Sequence, residues 1–147
     1  MYRENIDKQI ASTMKNGEHI KLTVWRAIKN EFMKFQTSGA NMELTDEKEL
    51  QIINKMVQQR KDSIEQYLKA NREELASVEE QEMEILSSLL PNEPTEDDIK
   101  TLIESYIKEK EITPKMQDLR NVMSFIKIKF PTVDGGKVSK IFRENYI

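Results

Sequence analysis

The stretch Leu90-Pro91-Asn92-Glu93-Pro94 decides how this chain is organised. Neither proline can continue an α-helix, and each biases the residue before it toward extended geometry. Long segments without proline or glycine flank this stretch, since the whole chain contains only four residues of each type. Such segments favour helices over the frequent turns of an all-β fold. We therefore predict an all-α protein of two lobes, residues 1–90 and 96–147, joined by a linker over residues 91–95.

The N-terminal lobe is predicted to contain four helices, the last two folded as a long hairpin over about residues 46–90. Apolar residues recur at helical spacing through this lobe, and residues 40–44 are predicted to form a loop. Thr45 or Asp46 is the predicted cap of the third helix. Asp46, followed by Glu49 three residues later, matches a capping pattern.

Two polar residues interrupt the apolar stripes of the predicted hairpin, Arg60 in the third helix and Glu82 in the fourth. Asn71 is predicted to cap the fourth helix, so the chain reverses near Ala70-Asn71. Arg60 then lies ten residues before the turn and Glu82 eleven residues after it. A constant helical rise brings the two positions level. We predict an Arg60–Glu82 ion pair that fixes the register of the hairpin.

The C-terminal lobe is predicted to be a small three-helix unit. Thr95 with Asp98 resembles a capping box at the start of its first helix. Thr113-Pro114 is interpreted as the cap and first residue of the second helix, which Pro131 ends. Asp134-Gly135-Gly136 predicts a tight loop before the last helix. A lobe of about fifty residues is only marginally stable alone.

The composition excludes several classes of protein. Apolar residues make up 37% of the chain and charged residues 33%, which suits helices with one buried stripe. The absence of cysteine excludes disulfide frameworks, thiolate metal sites and cysteine nucleophiles. No apolar run approaches the length of a membrane span, and the first residues show no signal-peptide core. We therefore expect a cytoplasmic protein.

No complete catalytic set can be assembled from the sequence. His19 is the only histidine, so serine catalysis and hydrolytic metal sites lack their usual partners. Asp134-Gly135-Gly136-Lys137 resembles a phosphate-cradling loop but lacks the preceding strand and the Walker spacing. Acids that are dense on helices are more typical of solvated faces than of acid–base pairs. We expect no enzymatic activity, no metal and no cofactor.

The charge is distributed unevenly, although the net charge is only −3. Residues 1–114 carry 23 acids and 16 bases, and between Glu79 and Asp98 there are eight acids and no base. Residues 115–147 carry seven bases and three acids. Their glycine turn offers free backbone N–H groups and the positive end of a helix dipole to a phosphate. The predicted nucleic-acid-binding residues are these seven bases: Lys115, Arg120, Lys127, Lys129, Lys137, Lys140 and Arg143.

Several motifs make the chain resemble the GatB/YqeY family. The stretch from Gln59 to Tyr67, followed by Asn71-Arg72-Glu73-Glu74-Leu75-Ala76, is similar to the family signature. Two positions depart from the family pattern: Arg120 replaces a usual glycine, and Leu89 replaces a usual aromatic residue. The remaining matching positions are Glu79, Glu82, Ile85, Leu86, Leu90-Pro91, Val122-Met123, Asp134-Gly135 and Lys137-Val138-Ser139.

The resemblance covers essentially the whole chain and implies a free-standing YqeY-like protein. It implies a two-lobed helical fold similar to the tail of the B subunit of the glutamine-dependent aminoacyl-tRNA amidotransferase. In that enzyme the tail helps to hold the tRNA, whereas the kinase and amidase chemistry lies in other domains or subunits.

Three hypotheses about function follow. The first is a non-catalytic tRNA- or RNA-binding accessory protein that contacts phosphates through its basic C-terminal lobe. The second is a protein–protein adaptor that uses the acidic surface of residues 79–98 or the helical hairpin, with an amidotransferase or another protein as its partner. The third is carbon–nitrogen ligase activity with glutamine as amido donor. No membrane partner and no small-molecule cofactor are expected.

Overall fold

The computed structural model describes residues 1–39, 43–131 and 133–147. Every regular element in these ranges is helical, which confirms the prediction of an all-α fold. None of the helices described is both long and apolar enough to cross a membrane. The loop predicted over residues 40–44 lies mostly outside the described residues. The elements are α1 (Ile6–Lys15), α2 (His19–Thr37), α3 (Asp46–Lys69), α4 (Glu73–Ser88), α5 (Glu96–Lys110), a 3-10 turn (Met116–Asp118), α6 (Leu119–Lys129) and α7 (Gly135–Asn145).

The chain divides into two compact units, Met1–Leu90 and Pro91–Ile147. Each unit has its own cluster of buried apolar side chains. In the first unit the apolar stripes of α2, α3 and α4 form the core, and full burial of one such side chain stabilises the fold by about 1.5–3 kcal/mol. Its buried side chains include Val24, Trp25, Ile28, Phe32, Leu50, Ile53, Met56, Val57 and Leu86.

The reversal between α3 and α4 differs from the prediction, because Asn71 ends α3 instead of capping α4. Asn71 adopts the left-handed conformation with φ +57°. Its N–H donates to the carbonyl of Leu68 at 3.2 Å, and the N–H of Arg72 donates to that of Tyr67 at 2.8 Å. These bonds satisfy the last carbonyls of α3, and asparagine tolerates the left-handed region better than most residues. The fourth helix therefore begins only at Glu73.

At the start of α3 the cap is Thr45, whose side-chain oxygen accepts a hydrogen bond from the N–H of Lys48 at 3.2 Å. The predicted capping pattern of Asp46 with Glu49 is not formed. Glu49 instead accepts hydrogen bonds from the backbone N–H groups of Tyr2 and Arg3. A contact with residues far away in sequence thus replaces the local one.

The second unit starts its first helix as predicted and its second helix later than predicted. The Thr95 side chain accepts from the N–H of Asp98 at 3.2 Å, and the Asp98 carboxylate accepts from the N–H of Thr95 at 3.0 Å. Thr113-Pro114 precedes the second helix instead of opening it. The 3-10 turn Met116–Asp118 comes first, and α6 begins at Leu119.

The segment Asp134-Gly135-Gly136, predicted as a tight loop, is the beginning of α7. Asp134 is the cap, and its Oδ1 accepts a hydrogen bond from the N–H of Gly136 at 2.9 Å. A carboxylate at a helix N-terminus satisfies a free donor and interacts favourably with the dipole, which outweighs the turn preference of the two glycines. The core of this unit includes Ile99, Ile103, Val122, Ile126, Val138 and Phe142.

Candidate nucleic-acid interface

All seven of the predicted nucleic-acid-binding residues have exposed side chains. Within the described residues of the second unit, the one ion pair joins Lys100 to Glu96 at 3.6 Å, and none of the seven takes part in it. Lys115 lies just before the 3-10 turn, three of the bases lie on α6, and three lie on α7. Their charges are therefore available to a ligand.

Arg120 and Lys127 lie together along a groove of about 510 Å³ on one side of α6. They are seven residues apart, which places them on the same helix face two turns from each other. Between them Ser124 donates its hydroxyl to the carbonyl of Arg120 at 3.1 Å. The other residues that line the groove are Met116, Gln117, Leu119 and Met123. The position where the family usually has glycine is thus one wall of a cationic groove.

Lys129 is separated from this groove. It follows Arg120 by nine residues, which at 3.6 residues per turn places it roughly half a turn away around α6. Its ammonium group lies 5.2 Å from the centroid of the Phe125 ring. A cation over a ring face is weakly stabilised by the ring quadrupole. The structure therefore does not bring all three bases of α6 to one face.

The three bases of α7 share the outer face of that helix. Lys137, Lys140 and Arg143 follow one another at intervals of three residues, and each is exposed. Their face lies opposite the buried stripe that includes Val138 and Phe142. The guanidinium group of Arg143 also donates to the hydroxyl of Ser139, at 2.6 and 3.2 Å. This face of α7 is a second cationic surface of the unit, in addition to the groove of α6.

Most of the N–H groups at the start of α7, which the sequence suggested to be free, already have acceptors within the chain. The Asp134 carboxylate accepts the N–H of Gly136, and the Asp134 carbonyl accepts those of Lys137 and Val138 at 3.1 and 3.2 Å. The aspartate also places a negative charge where the helix dipole favours an anion. The expectation that this turn offers its N–H groups to a phosphate therefore fails at Gly136, Lys137 and Val138. The basic side chains remain as the candidate phosphate contacts.

Arg60 meets two glutamates across the α3–α4 hairpin. Its Nε lies 3.3 Å from Oε2 of Glu82 and 3.3 Å from Oε2 of Glu79. Neither Nε nor the Glu79 oxygen has the geometry of a hydrogen bond, so the contact is an ion pair by distance. Burial raises the pKa of Glu79, the charge of Arg60 opposes that rise, and the charge of Glu82 adds to it. The interruption of the apolar stripe at Glu82 indicated this contact in the sequence. The sequence did not indicate Glu79, although it lies on the same helix face three residues earlier.

Glu49 is a second residue whose role the sequence did not reveal. Its side chain is fully buried, and its Oε1 accepts the backbone N–H groups of Tyr2 at 2.7 Å and Arg3 at 2.9 Å. The Arg3 guanidinium also contacts Glu49 Oε2, and it pairs with Asp46 at 2.7 Å. The partners lie more than forty residues away in sequence, so no local pattern could have indicated them. This cluster ties the N-terminal segment to α3.

The fold and this surface define a class: an all-α protein with a helical-hairpin unit and a three-helix unit that carries unneutralised bases. A family model described as YqeY-like protein matches residues 3–146. The chain therefore belongs to the YqeY-like family, which confirms the family resemblance of its motifs.

Three curated relatives share one name, "Altered inheritance of mitochondria protein 41, mitochondrial". The protein of Vanderwaltozyma polyspora is 44% identical over 73 residues, covering 46% of this chain and 40% of the relative. That of Candida glabrata is 28% identical over 116 residues, covering 76% and 64%. That of Lachancea thermotolerans is also 28% identical over 116 residues, covering 77% and 62%. The chain thus spans between 40% and 64% of the length of these relatives.

The expectation of a cytoplasmic protein is contradicted by this comparison, since the three relatives are all named as mitochondrial proteins. The expectation relied on an ordinary composition and on the lack of an apolar targeting core. Neither the composition nor the lack of an apolar segment distinguishes a cytoplasmic from a mitochondrial protein, because mitochondrial targeting uses amphipathic, arginine-rich segments in place of apolar ones.

Proposed function

We propose that this protein is a non-catalytic RNA-binding accessory protein that contacts phosphates through the bases of its second unit. The observation that carries the proposal is that the seven bases of residues 115–147 are exposed and take part in no ion pair among the described residues. Cations that are not neutralised by an acid are the electrostatic feature that supports binding to a phosphate backbone. The groove of α6 and the outer face of α7 supply the contacts.

The first unit provides an internal comparison. It carries 13 bases and 16 acids, and more than half of those bases are engaged in ion pairs. The paired bases are Arg3, Lys21, Lys29, Lys34, Arg60, Lys69 and Arg72. A larger share of the positive charge is therefore neutralised locally in the first unit than in the second. That contrast favours the second unit as the site of an anionic partner.

Transfer RNA is the RNA class we propose, because the family resembles the tail that holds tRNA in the amidotransferase. A role without catalysis fits a chain in which no nucleophile, base and orienting group could be assembled from the sequence. The competing hypothesis of a carbon–nitrogen ligase predicts that the purified chain hydrolyses glutamine. We expect no glutamine turnover above that of a heat-treated sample.

Reversing two charges on α7 tests the proposal. The double variant Lys137→Glu/Lys140→Glu is expected to weaken tRNA binding by about tenfold or more at moderate salt, because two phosphate contacts become repulsive. The slope of log affinity against log salt is expected to fall by about 2, roughly 1 for each lost contact. Filter-binding titrations of the full chain at several salt concentrations measure both quantities.

The matched control for this experiment is Lys8→Glu/Lys15→Glu. These lysines are exposed, lie seven residues apart on α1 and take part in no ion pair among the described residues. The control is expected to change tRNA affinity by less than a factor of about three. Equal losses in both double variants would show only a general dependence on net charge, and a wild-type affinity that does not respond to salt would contradict the proposal.

A protein adaptor is the second candidate function, and one feature of the hairpin favours it. Leu75 and Val78 are 39% and 47% exposed on α4, and they share a face with the half-buried Ile85. Helix α4 carries six acids and no base. An apolar strip on an acidic helix is complementary to an amphipathic partner helix with basic flanks.

The adaptor hypothesis predicts a stoichiometric partner that survives nuclease treatment. Leu75→Glu/Val78→Glu is expected to abolish its co-purification, because two new charges would be buried in the interface. Met14→Glu/Met33→Glu is the control, since both methionines are 54% exposed and lie on other helices. Retention of the partner by the α4 variant would argue against docking on this strip.

A further inference from the structure

The first unit contains a cationic cleft that the RNA surface does not use. It lies between the last turns of α2 and the first half of α3, is open to solvent and has a volume of about 440 Å³, which is in the size range of small-molecule sites. Lys34 enters it from α2, and Lys48 and Lys55 enter it from α3. The seven-residue spacing of the two α3 lysines places them on one helix face.

The charge balance of this cleft is unlike that of the unit around it. Among the described residues that line it, the one acid is Glu31, which pairs with Lys34 at 3.2 Å. Lys48 lies 4.8 Å from the centroid of the Phe35 ring, and Lys55 takes part in no ion pair within the described chain. Acids outnumber bases in the unit as a whole, by 16 to 13. Three lysines against one acid therefore make a local site for an anion.

The floor of the cleft is apolar and includes an aromatic ring. Met56 is 3% exposed, whereas Phe35 and Ile52 are half-buried and present part of their surface to the cleft. Two amide side chains, Gln51 and Gln59, stand on the α3 wall. The lining thus combines cations, a flat apolar surface and neutral groups that both donate and accept hydrogen bonds.

We propose that this cleft binds a nucleotide, with its phosphates held by Lys34, Lys48 and Lys55 and its base against Phe35, Ile52 and Met56. Lysine ammonium groups bind phosphate as point charges. Aromatic and thioether side chains contact the π face of a base, and amides match the donors and acceptors on its edge. A simple inorganic anion uses only the lysines, whereas a nucleotide uses the whole lining. The nucleotide is either free or part of an RNA chain.

Calorimetric titration of the full chain with ADP, adenosine and inorganic phosphate tests the proposal. ADP is expected to bind at least about tenfold more tightly than either adenosine or phosphate, because each of these lacks one half of the contacts. Lys48→Gln/Lys55→Gln is expected to weaken ADP binding by about tenfold or more. The glutamines keep helix propensity and remove the two charges.

The control is Lys8→Gln/Lys15→Gln, which removes two charges from α1 and is expected to leave ADP binding unchanged. Equal affinity for ADP and phosphate would overturn the assignment of a nucleotide, and so would ADP binding that is insensitive to the α3 variant. Competition by tRNA identifies the source of the nucleotide. Displacement of ADP by tRNA, with weaker tRNA binding by the α3 variant, assigns the cleft to RNA, whereas no displacement assigns it to a free nucleotide. Failure of tRNA binding alone removes only the proposed function.

Discussion

Replacing Glu49 by glutamine is expected to lower the free energy of unfolding of the first unit by about 2–4 kcal/mol. The carboxylate is fully buried, accepts two backbone N–H groups and contacts the Arg3 guanidinium. Glutamine has nearly the same side-chain volume as glutamate. One of its two terminal atoms is an NH₂ donor, however, and it faces the donor groups that the carboxylate accepts from. In this variant the Arg3 guanidinium still pairs with Asp46, at 2.7 Å in the wild-type chain. The loss of unfolding free energy is therefore smaller than that for a buried charge left with no partner.

Denaturant unfolding followed by Trp25 fluorescence measures this effect. Trp25 is the one tryptophan of the chain, is 6% exposed in the core of the first unit, and has the Tyr2 ring 5.9 Å from its own. The control is Glu47→Gln, an exposed acid in the same first turn of α3, which is expected to change stability by less than about 0.5 kcal/mol. Similar midpoints for the two variants would show that the buried cluster contributes little.

Replacing Phe142 by alanine is expected to unfold the second unit and leave the first intact. Phe142 is fully buried, and truncating such a residue costs about 3–5 kcal/mol. The unit spans Pro91–Ile147, and a chain of that length has a total stability of only about 3–9 kcal/mol. The residues clustered with Phe142 all belong to this unit. The substitution therefore removes most of its stability.

Two signals show whether the second unit unfolds while the first stays folded. Far-ultraviolet circular dichroism is expected to lose the helical signal of α5–α7, while the Trp25 unfolding midpoint stays at its wild-type value. Ile128→Ala is the control, because Ile128 lies on α6 and is 45% exposed. A parallel loss of the Trp25 transition in the Phe142 variant would show that the two units unfold as one.

Much of the fold was predictable because the sequence is locally consistent. Apolar residues at helical spacing indicated the helices, and Thr95 with Asp98 forms the capping box that their spacing suggested. The errors lie at helix ends. Asn71 and Asp134 each have two common uses, as a turn residue and as a cap, and which one prevails depends on the neighbouring backbone.

The candidate site was predictable only in part. Sequence identified the bases of residues 115–147, since charge is read directly from residue type. It did not show that Arg120 and Lys127 share a groove from which Lys129 is excluded. It also did not show that Asp134 accepts the N–H groups at the start of α7. The cleft between α2 and α3 was missed altogether, because Lys34 and Lys48 are brought together by the packing of two helices and not by spacing along one.

The sequence by itself determined the helical class, the break at Pro91 and Pro94, and the excess of positive charge after residue 114. Each of these depends on residue type and on spacing within a few turns of chain, where backbone sterics and helical periodicity act. Only the tertiary structure decided the partners of Glu49, the second glutamate of Arg60 and the placement of Lys34 beside the lysines of α3. Each of these joins residues more than ten positions apart in sequence, which come together only after the helices have packed.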